Sequence, residues 1–309
     1  MTLAFTFPGQ GSQAVGMGRA LAEAFGEARD VFERVDDALK QKLARLMWEG
    51  PEAELTLTEN AQPAIMAVSA AILAVLEGQA GYAPERHLRF VAGHSLGEYS
   101  ALVAAKALAL EDAARLLKRR GQAMQRAVAP GEGAMAALLG IDLEAVEAKV
   151  VGEGVAIAND NAPGQVVISG AAAAVAAANE RAKAAGAKKA VMLQVSAPFH
   201  CPLMEPAARE MRAALAEVTL RPLAVPLVAN VTAREVSEPS RVRDLLVEQV
   251  TGRVRWRESV AYMAGEGVTR LAEVGAGRVL ATMAKRIVKD VELVNIESPA
   301  DIDAFAKTL

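Results

Sequence analysis

Five residues, Gly93-His94-Ser95-Leu96-Gly97, restrict the folding of this chain more than any other stretch. They stand between a short apolar run, Leu88 to Ala92, and a helical pattern that starts at Glu98 and continues, with one break near Ala109, to Val128. Strand, turn and helix in that order are the setting of a nucleophile elbow, G-x-S-x-G. The sharp turn forces the serine into a strained backbone geometry, and a side chain two positions to either side would collide with the neighbouring turn. Glycine is therefore needed at both places. The plainer alternative is a tight turn whose serine merely caps the helix.

The rest of the chain repeats this alternation. Leu3 to Phe7 is a short buried strand ended by Pro8-Gly9, Ala20 to Leu46 is helical, and Ala61 to Leu76 is an almost wholly apolar helix. Strands alternating with helices imply a parallel sheet covered on both faces. Between Ala129-Pro130-Gly131 and Ser196-Ala197-Pro198 the order changes to strand Ala134–Leu139, helix Asp142–Val150, strands Val155–Ala158 and Gln165–Ser169, helix Ala171–Ala185 and strand Ala190–Val195. That is the βαββαβ order of a ferredoxin-like motif. The expected organisation is a large α/β core from residues 1–128 and 197–309, with a small subdomain inserted at 129–196. After the insertion, helices are expected at Pro206–Val218, Val242–Gln249 and Ser259–Glu266, and strands at Leu227–Val231 and Arg270–Val274. Gly275-Ala276-Gly277 then turns into a final helix. The third glycine of a dinucleotide fingerprint is absent there.

A chain of 309 residues, 52% hydrophobic and 23% charged, buries a core without disulfides or metal. Its formal charge of −3 argues against a nucleic-acid binder. One cysteine, Cys201, excludes an internal disulfide framework and a multi-cysteine zinc site. The first residues lack a basic n-region, and the apolar stretch Pro63 to Leu76 reads as a buried helix too short to span a bilayer. The expected setting is the cytoplasm, away from membranes.

A serine nucleophile needs a base within hydrogen-bond reach. The chain has three histidines. His94 adjoins the serine and is aimed elsewhere by the elbow, and His87 lies at the wrong end of its strand. His200 remains, in Pro198-Phe199-His200-Cys201, and its bland alternative is a structural histidine. Cys201 reads as a small buried residue rather than a thiol nucleophile. The Leu96 amide is one donor for an oxyanion. The second donor falls in a neighbouring loop, and Phe7-Pro8-Gly9-Gln10-Gly11-Ser12-Gln13 has the glycines for a close approach, although a plain turn explains them equally.

On the helix from Glu111 to Val128, Asp112, Arg115, Arg119, Gln122 and Arg126 share a polar face. Ala113, Leu116, Leu117, Met124 and Ala127 form the opposite stripe, and Arg120 lies among them. A guanidinium there needs a carboxylate or phosphate. Either an internal Asp or Glu supplies it, or the substrate does.

Taken together, Phe-Pro-Gly-Gln-Gly-Ser-Gln, Gly-His-Ser-Leu-Gly-Glu, Arg120-Gly121, the stretch Asn159 to Gly170 and Pro198-Phe199-His200-Cys201 resemble the malonyl-CoA:acyl carrier protein transacylase family, in the family's order and over essentially the whole chain. The resemblance implies an α/β-hydrolase-like core with an inserted ferredoxin-like subdomain. It implies a malonyl ester on Ser95, His200 as base, Arg120 on the malonyl carboxylate, and the amides of Gln10 and Leu96 as oxyanion donors. It also implies that a main-chain carbonyl at Gln249 orients the histidine in place of a triad acid. A bulky Phe199 then favours malonyl over methylmalonyl. The implied reaction is ping-pong, with malonyl-CoA and acyl carrier protein as partners, no metal or redox cofactor, and a monomeric enzyme. Lys183, Lys188 and Lys189, and separately Arg253, Arg255 and Arg257, are the basic candidates for meeting an acidic carrier protein.

Overall fold

The computed structural model describes residues 2–195 and 197–309. Among the described residues, ten strands fall into two sheets. In chain order these are β1 Leu3–Phe7, β2 Leu88–Gly93, β3 Gly133–Leu139, β4 Val155–Ala162, β5 Gln165–Ala171, β6 Lys189–Met192, β7 Leu227–Ala229, β8 Arg234–Val236, β9 Arg270–Val274 and β10 Glu292–Ile296. The larger sheet runs β10-β9-β1-β2-β7-β8. It is parallel from β10 through β7 and closed at one edge by the antiparallel β7–β8 pair. Every residue of β1 and β9 is buried, as expected of strands covered on both faces.

The smaller sheet is antiparallel throughout and ordered β4-β5-β3-β6. Helices Leu143–Lys149 and Ala172–Ala184 connect its strands and pack with it around a separate cluster that includes Leu138, Val146, Ile168 and Val175. The chain is thus a mixed α/β protein with one largely parallel and one antiparallel sheet. The strand and helix order of the small unit follows the sequence expectation, with ends shifted by a few residues. Its expected C-terminal border, Ser196, lies outside the described residues.

Several contacts dock the small unit on the larger one. Asn159 and Val254 form a bridge, with the Asp160 amide donating to the Val254 carbonyl at 2.9 Å and the Val254 amide to the Ala158 carbonyl at 2.8 Å. Arg257 pairs with the buried Asp160 at 2.9 Å. His94 Nε2 meets Asn161 Oδ1 at 2.9 Å.

Two expectations need correction. The apolar helix runs from Thr58 to Ala80, which makes it long and apolar enough to cross a membrane, yet most of it is buried within the fold. The reading as a core helix holds, but the length does not: its first turn, Thr58–Ala61, and its last, Glu77–Ala80, carry polar residues that hide it from a hydropathy count. The helix after Gly277, Val279–Ile287, is not the last element, because β10 and helix Pro299–Ala306 follow it. β10 is a sheet edge, and its ELVNI sequence is only partly buried, so it lacks the nearly continuous apolar signal of β1.

Candidate active site

The loops at the carboxyl ends of β1, β2 and β7 converge on Ser95, the position where open α/β sheets hold their ligands. The glycines behave as the elbow requires. A Cβ on Gly93 would lie 1.9 Å from the Gly97 carbonyl carbon, and one on Gly97 would lie 2.3 Å from the Phe7 carbonyl oxygen. Ser95 itself sits at φ 52°, a left-handed conformation that costs a non-glycine residue of order 1 kcal/mol or more. Helix Gly97–Ala104 starts two residues later. The capping alternative fails, because the Ser95 side chain makes no cap bond to that helix.

Ser95 Oγ is 2.8 Å from His200 Nε2, and His200 Nδ1 is 2.8 Å from the Gln249 carbonyl oxygen. With Nδ1 donating to that carbonyl, Nε2 is left as the acceptor for the serine proton. Burial, reinforced by the Arg120 cation, pulls the His200 pKa down to about 3, so the ring is neutral at ordinary pH. Like Ser95, His200 has a positive φ, 57°. The other two histidines lie where the sequence reading put them. His94 turns away to Asn161 and packs edge-on to Trp256, with ring centroids 5.7 Å apart. His87 Nδ1 bonds to the Ala83 main chain, before β2 begins. Cys201 is buried, its thiol donates to the Pro198 carbonyl at 3.0 Å, and burial pushes its pKa up. It is not poised as a nucleophile.

Arg120 is 1% exposed. Among the described residues no carboxylate lies within ion-pair distance of it. Nη1 donates to Gln62 Oε1 at 2.7 Å, and Nη2 donates to Gln249 Oε1 at 2.9 Å and to Ser95 Oγ at 3.1 Å. Nε has no partner. Three neutral oxygens therefore solvate the cation beside the nucleophile, and the buried Glu98 acts on it without reaching ion-pair distance. The internal ion pair left open by the sequence is not there.

Gln10 and Leu96 both line the cleft above Ser95. The loop carrying Gln10 approaches the elbow so closely that a Cβ on Gly9 would be 2.8 Å from the His94 carbonyl oxygen. The Gln10 side chain is anchored by Thr58 Oγ1, which donates to Gln10 Oε1 at 2.8 Å, and Gln62 Nε2 donates to Thr58 Oγ1 at 2.9 Å. The cleft has a volume of about 350 Å³ and an apolar lining that includes Met124, Met135, Val167, Leu193 and Phe199.

Sequence reasoning missed the residues that brace this arrangement. Asn230, directly after β7, accepts the Ser95 amide on Oδ1 at 2.8 Å and donates Nδ2 to the Gly93 carbonyl at 2.6 Å. Glu98 is buried behind the elbow, where Oε1 accepts the Asn230 amide at 2.6 Å and Oε2 contacts Gln249 Nε2. Burial raises the Glu98 pKa, opposed by those two donors and by Arg120. A glutamate inside the apolar helix GEYSALVA carried a readable signal for a buried partner. Asn230 and Gln62 carried none beyond being polar.

This is a serine site of the acyl-transfer kind, and residues 4–300 match the family described as the acyl transferase domain. The malonyl CoA-acyl carrier protein transacylase of Bacillus subtilis is 44% identical over 99% of this chain and 97% of its own length, and that of Escherichia coli is 44% identical over 97% of each. The acyl-carrier-protein S-malonyltransferase of Bartonella henselae superimposes with a TM-score of 0.97 at 54% identity, covering 100% of this chain and 99% of that one. A malonyl-transacylase solved in complex with a type II PKS acyl-carrier protein gives a TM-score of 0.95 at 40% identity over the whole of both chains. The chain belongs to the malonyl CoA-acyl carrier protein transacylase family.

Proposed function

We propose that this acyltransferase moves a malonyl group from malonyl-CoA to the phosphopantetheine thiol of acyl carrier protein through an ester on Ser95. The observation that carries the proposal is the buried, carboxylate-free guanidinium of Arg120, 3.1 Å from the nucleophile. A free acyl carboxylate is the group such a site lacks, and malonyl supplies it where acetyl does not.

In the first half-reaction His200 Nε2 takes the Ser95 proton as Oγ attacks the thioester carbonyl. The Gln10 and Leu96 amides face the developing oxyanion. Collapse breaks the carbon–sulfur bond, and His200 returns the proton to the CoA sulfur. The second half-reaction reverses these steps with the carrier thiol, so transfer is ping-pong. Arg120 holds the malonyl carboxylate throughout. Esterification removes the Ser95 hydroxyl and frees the Nη2 N–H now spent on it. The Gln249 carbonyl keeps the His200 tautomer, so an acidic third member is not needed.

We read the two sheets as an α/β-hydrolase-like core, 1–128 and 197–309, with a ferredoxin-like subdomain at 129–196. The strand order β4-β5-β3-β6 supports that reading of the insertion. The protein acts as a monomer in the cytoplasm without a cofactor of its own. Of the two basic groups, Lys188 and Lys189 suit an acidic carrier protein better. They are exposed without an ion pair among the described residues, whereas Arg253, Arg255 and Arg257 are already paired with Glu147, Glu258 and Asp160.

Intact mass after brief incubation with malonyl-CoA tests the mechanism. One malonyl adduct is expected, discharged by holo carrier protein and absent from Ser95→Ala. Free malonate without an adduct would instead mean a hydrolase.

A further inference from the structure

The Gln249 side chain has a task distinct from that of its main-chain carbonyl. Its carboxamide is held at three points: Oε1 accepts from Arg120 Nη2, and Nε2 donates to the Ser95 carbonyl at 2.9 Å and contacts Glu98 Oε2. Turning the amide over would present an NH₂ group to a guanidinium and a carbonyl oxygen to a carboxylate and another carbonyl. The orientation that serves Arg120 is therefore the one Glu98 dictates. Glu98 is not one of the residues lining the cleft, and it lies beyond ion-pair distance of Arg120. Both its oxygens are engaged by N–H donors, the Asn230 amide and Gln249 Nε2. The same Asn230 anchors the Ser95 amide and the Gly93 carbonyl.

We infer that Glu98 is a positioning residue for acyl selectivity: by fixing the Gln249 carboxamide, it sets Arg120 to receive the malonyl carboxylate. This rests on the proposed role of Arg120. A glutamine at position 98 keeps the size but has one acceptor for two facing donors. Either the Asn230 amide or Gln249 Nε2 then meets an N–H. Gln249 relieves the conflict by rotating, which places its own NH₂ against Arg120 and turns the guanidinium out of position.

The test is steady-state transfer to holo carrier protein from malonyl-CoA and from acetyl-CoA. It uses the wild type, Arg120→Ala, Glu98→Gln, Gln249→Met and the Glu98→Gln/Gln249→Met double variant. Arg120→Ala comes first, because unchanged acyl discrimination there refutes the function of Arg120 itself and not the inference. With that control in place, Glu98→Gln should lower kcat/KM for malonyl-CoA at least tenfold, chiefly through KM. Acetyl-CoA should stay within about threefold of wild type. Gln249→Met keeps the carbonyl that holds His200 and, whatever it does to the absolute rates, should lower the malonyl-to-acetyl ratio of kcat/KM as Glu98→Gln does, with no further fall of that ratio in the double variant. Equal falls for both donors, or additive losses in the double variant, would overturn the inference. If Glu98→Gln does not fold, Gln249→Met decides the matter, and unchanged discrimination in that variant refutes it.

Discussion

Removing the guanidinium of Arg120 should convert a malonyl-selective enzyme into one nearly blind to the carboxylate. A carboxylate held by two charge-assisted hydrogen bonds gains about 1.5–3 kcal/mol from each, or about 3–6 kcal/mol together. At about 1.4 kcal/mol per tenfold, that is a fall of roughly 10²- to 10⁴-fold in kcat/KM for malonyl-CoA in Arg120→Ala. Acetyl-CoA presents no carboxylate, and Ser95, His200 and the two amides all remain to act on its thioester, Ser95 Oγ losing only its hydrogen bond from Arg120. Its kcat/KM should move by less than about tenfold. Truncation leaves Gln62 Oε1 and Gln249 Oε1 without their donor, at about 1–3 kcal/mol each, so the protein should also melt earlier. Arg120→Lys separates charge from geometry, since an ammonium keeps the charge and loses the planar fork. Its malonyl kcat/KM should fall between those of wild type and Arg120→Ala. The assay follows loading of holo carrier protein from each CoA ester by mass. A proportional decline for both esters would refute the reasoning, because it would make Arg120 a general support of Ser95.

Three further outcomes are expected. With the His200 pKa pulled down to about 3, the base stays neutral far into acid, so kcat/KM for malonyl-CoA should fall only as pH drops well below 5. An inflection near 6.5, the ordinary histidine value, would contradict the buried base. Glu273 at the end of β9 accepts the Leu280 and Ala281 amides at the start of helix Val279–Ile287, and burial raises its pKa to about 7. A carboxyl with a raised folded-state pKa favours folding most below its unfolded value near 4.5, and that contribution is lost as pH rises through about 7. Melting curves from pH 5 to 9 should therefore slope downward in the wild type and flatten in Glu273→Gln. Gly97→Ala would put a methyl 2.3 Å from the Phe7 carbonyl oxygen and 2.9 Å from that of Pro8. We expect a loss of about 1–3 kcal/mol by urea unfolding together with loss of Ser95 acylation, and an unchanged midpoint would show that the elbow has room to spare.

Much of this was legible in the chain itself, for reasons that differ by element. β1 read out to the residue because LAFTF, buried on both faces, is a nearly continuous apolar run bounded by turn residues, and β9, RLAEV, did so despite two charged residues because Gly275-Ala276-Gly277 marks its end. The elbow was legible because its glycines answer a steric demand that local spacing records. His200 was legible by elimination, since only three histidines compete. Arg120 was visible as a cation on an apolar stripe, but whether its partner was internal depended on the surroundings of that stripe. β8 and β10 escaped because edge strands keep one side in solvent and mix charge with apolar residues. The Glu98–Asn230–Gln249 brace could not be read, because it joins residues more than 130 positions apart through single hydrogen bonds. Such bonds leave no periodicity.

The position of β1 bears on how the protein comes off the ribosome. This first strand ends up between β2 and β9, pairing with Leu88 on one side and Arg270 on the other. The antiparallel sheet, by contrast, is complete within residues 133–192. A nascent chain that stops short of residue 270 can finish the inserted unit but leaves β1 with one open edge, a surface that invites pairing with another chain. Long-range closure of this kind is slow, and the exposed edge lasts until the strand that begins at Arg270 has been made.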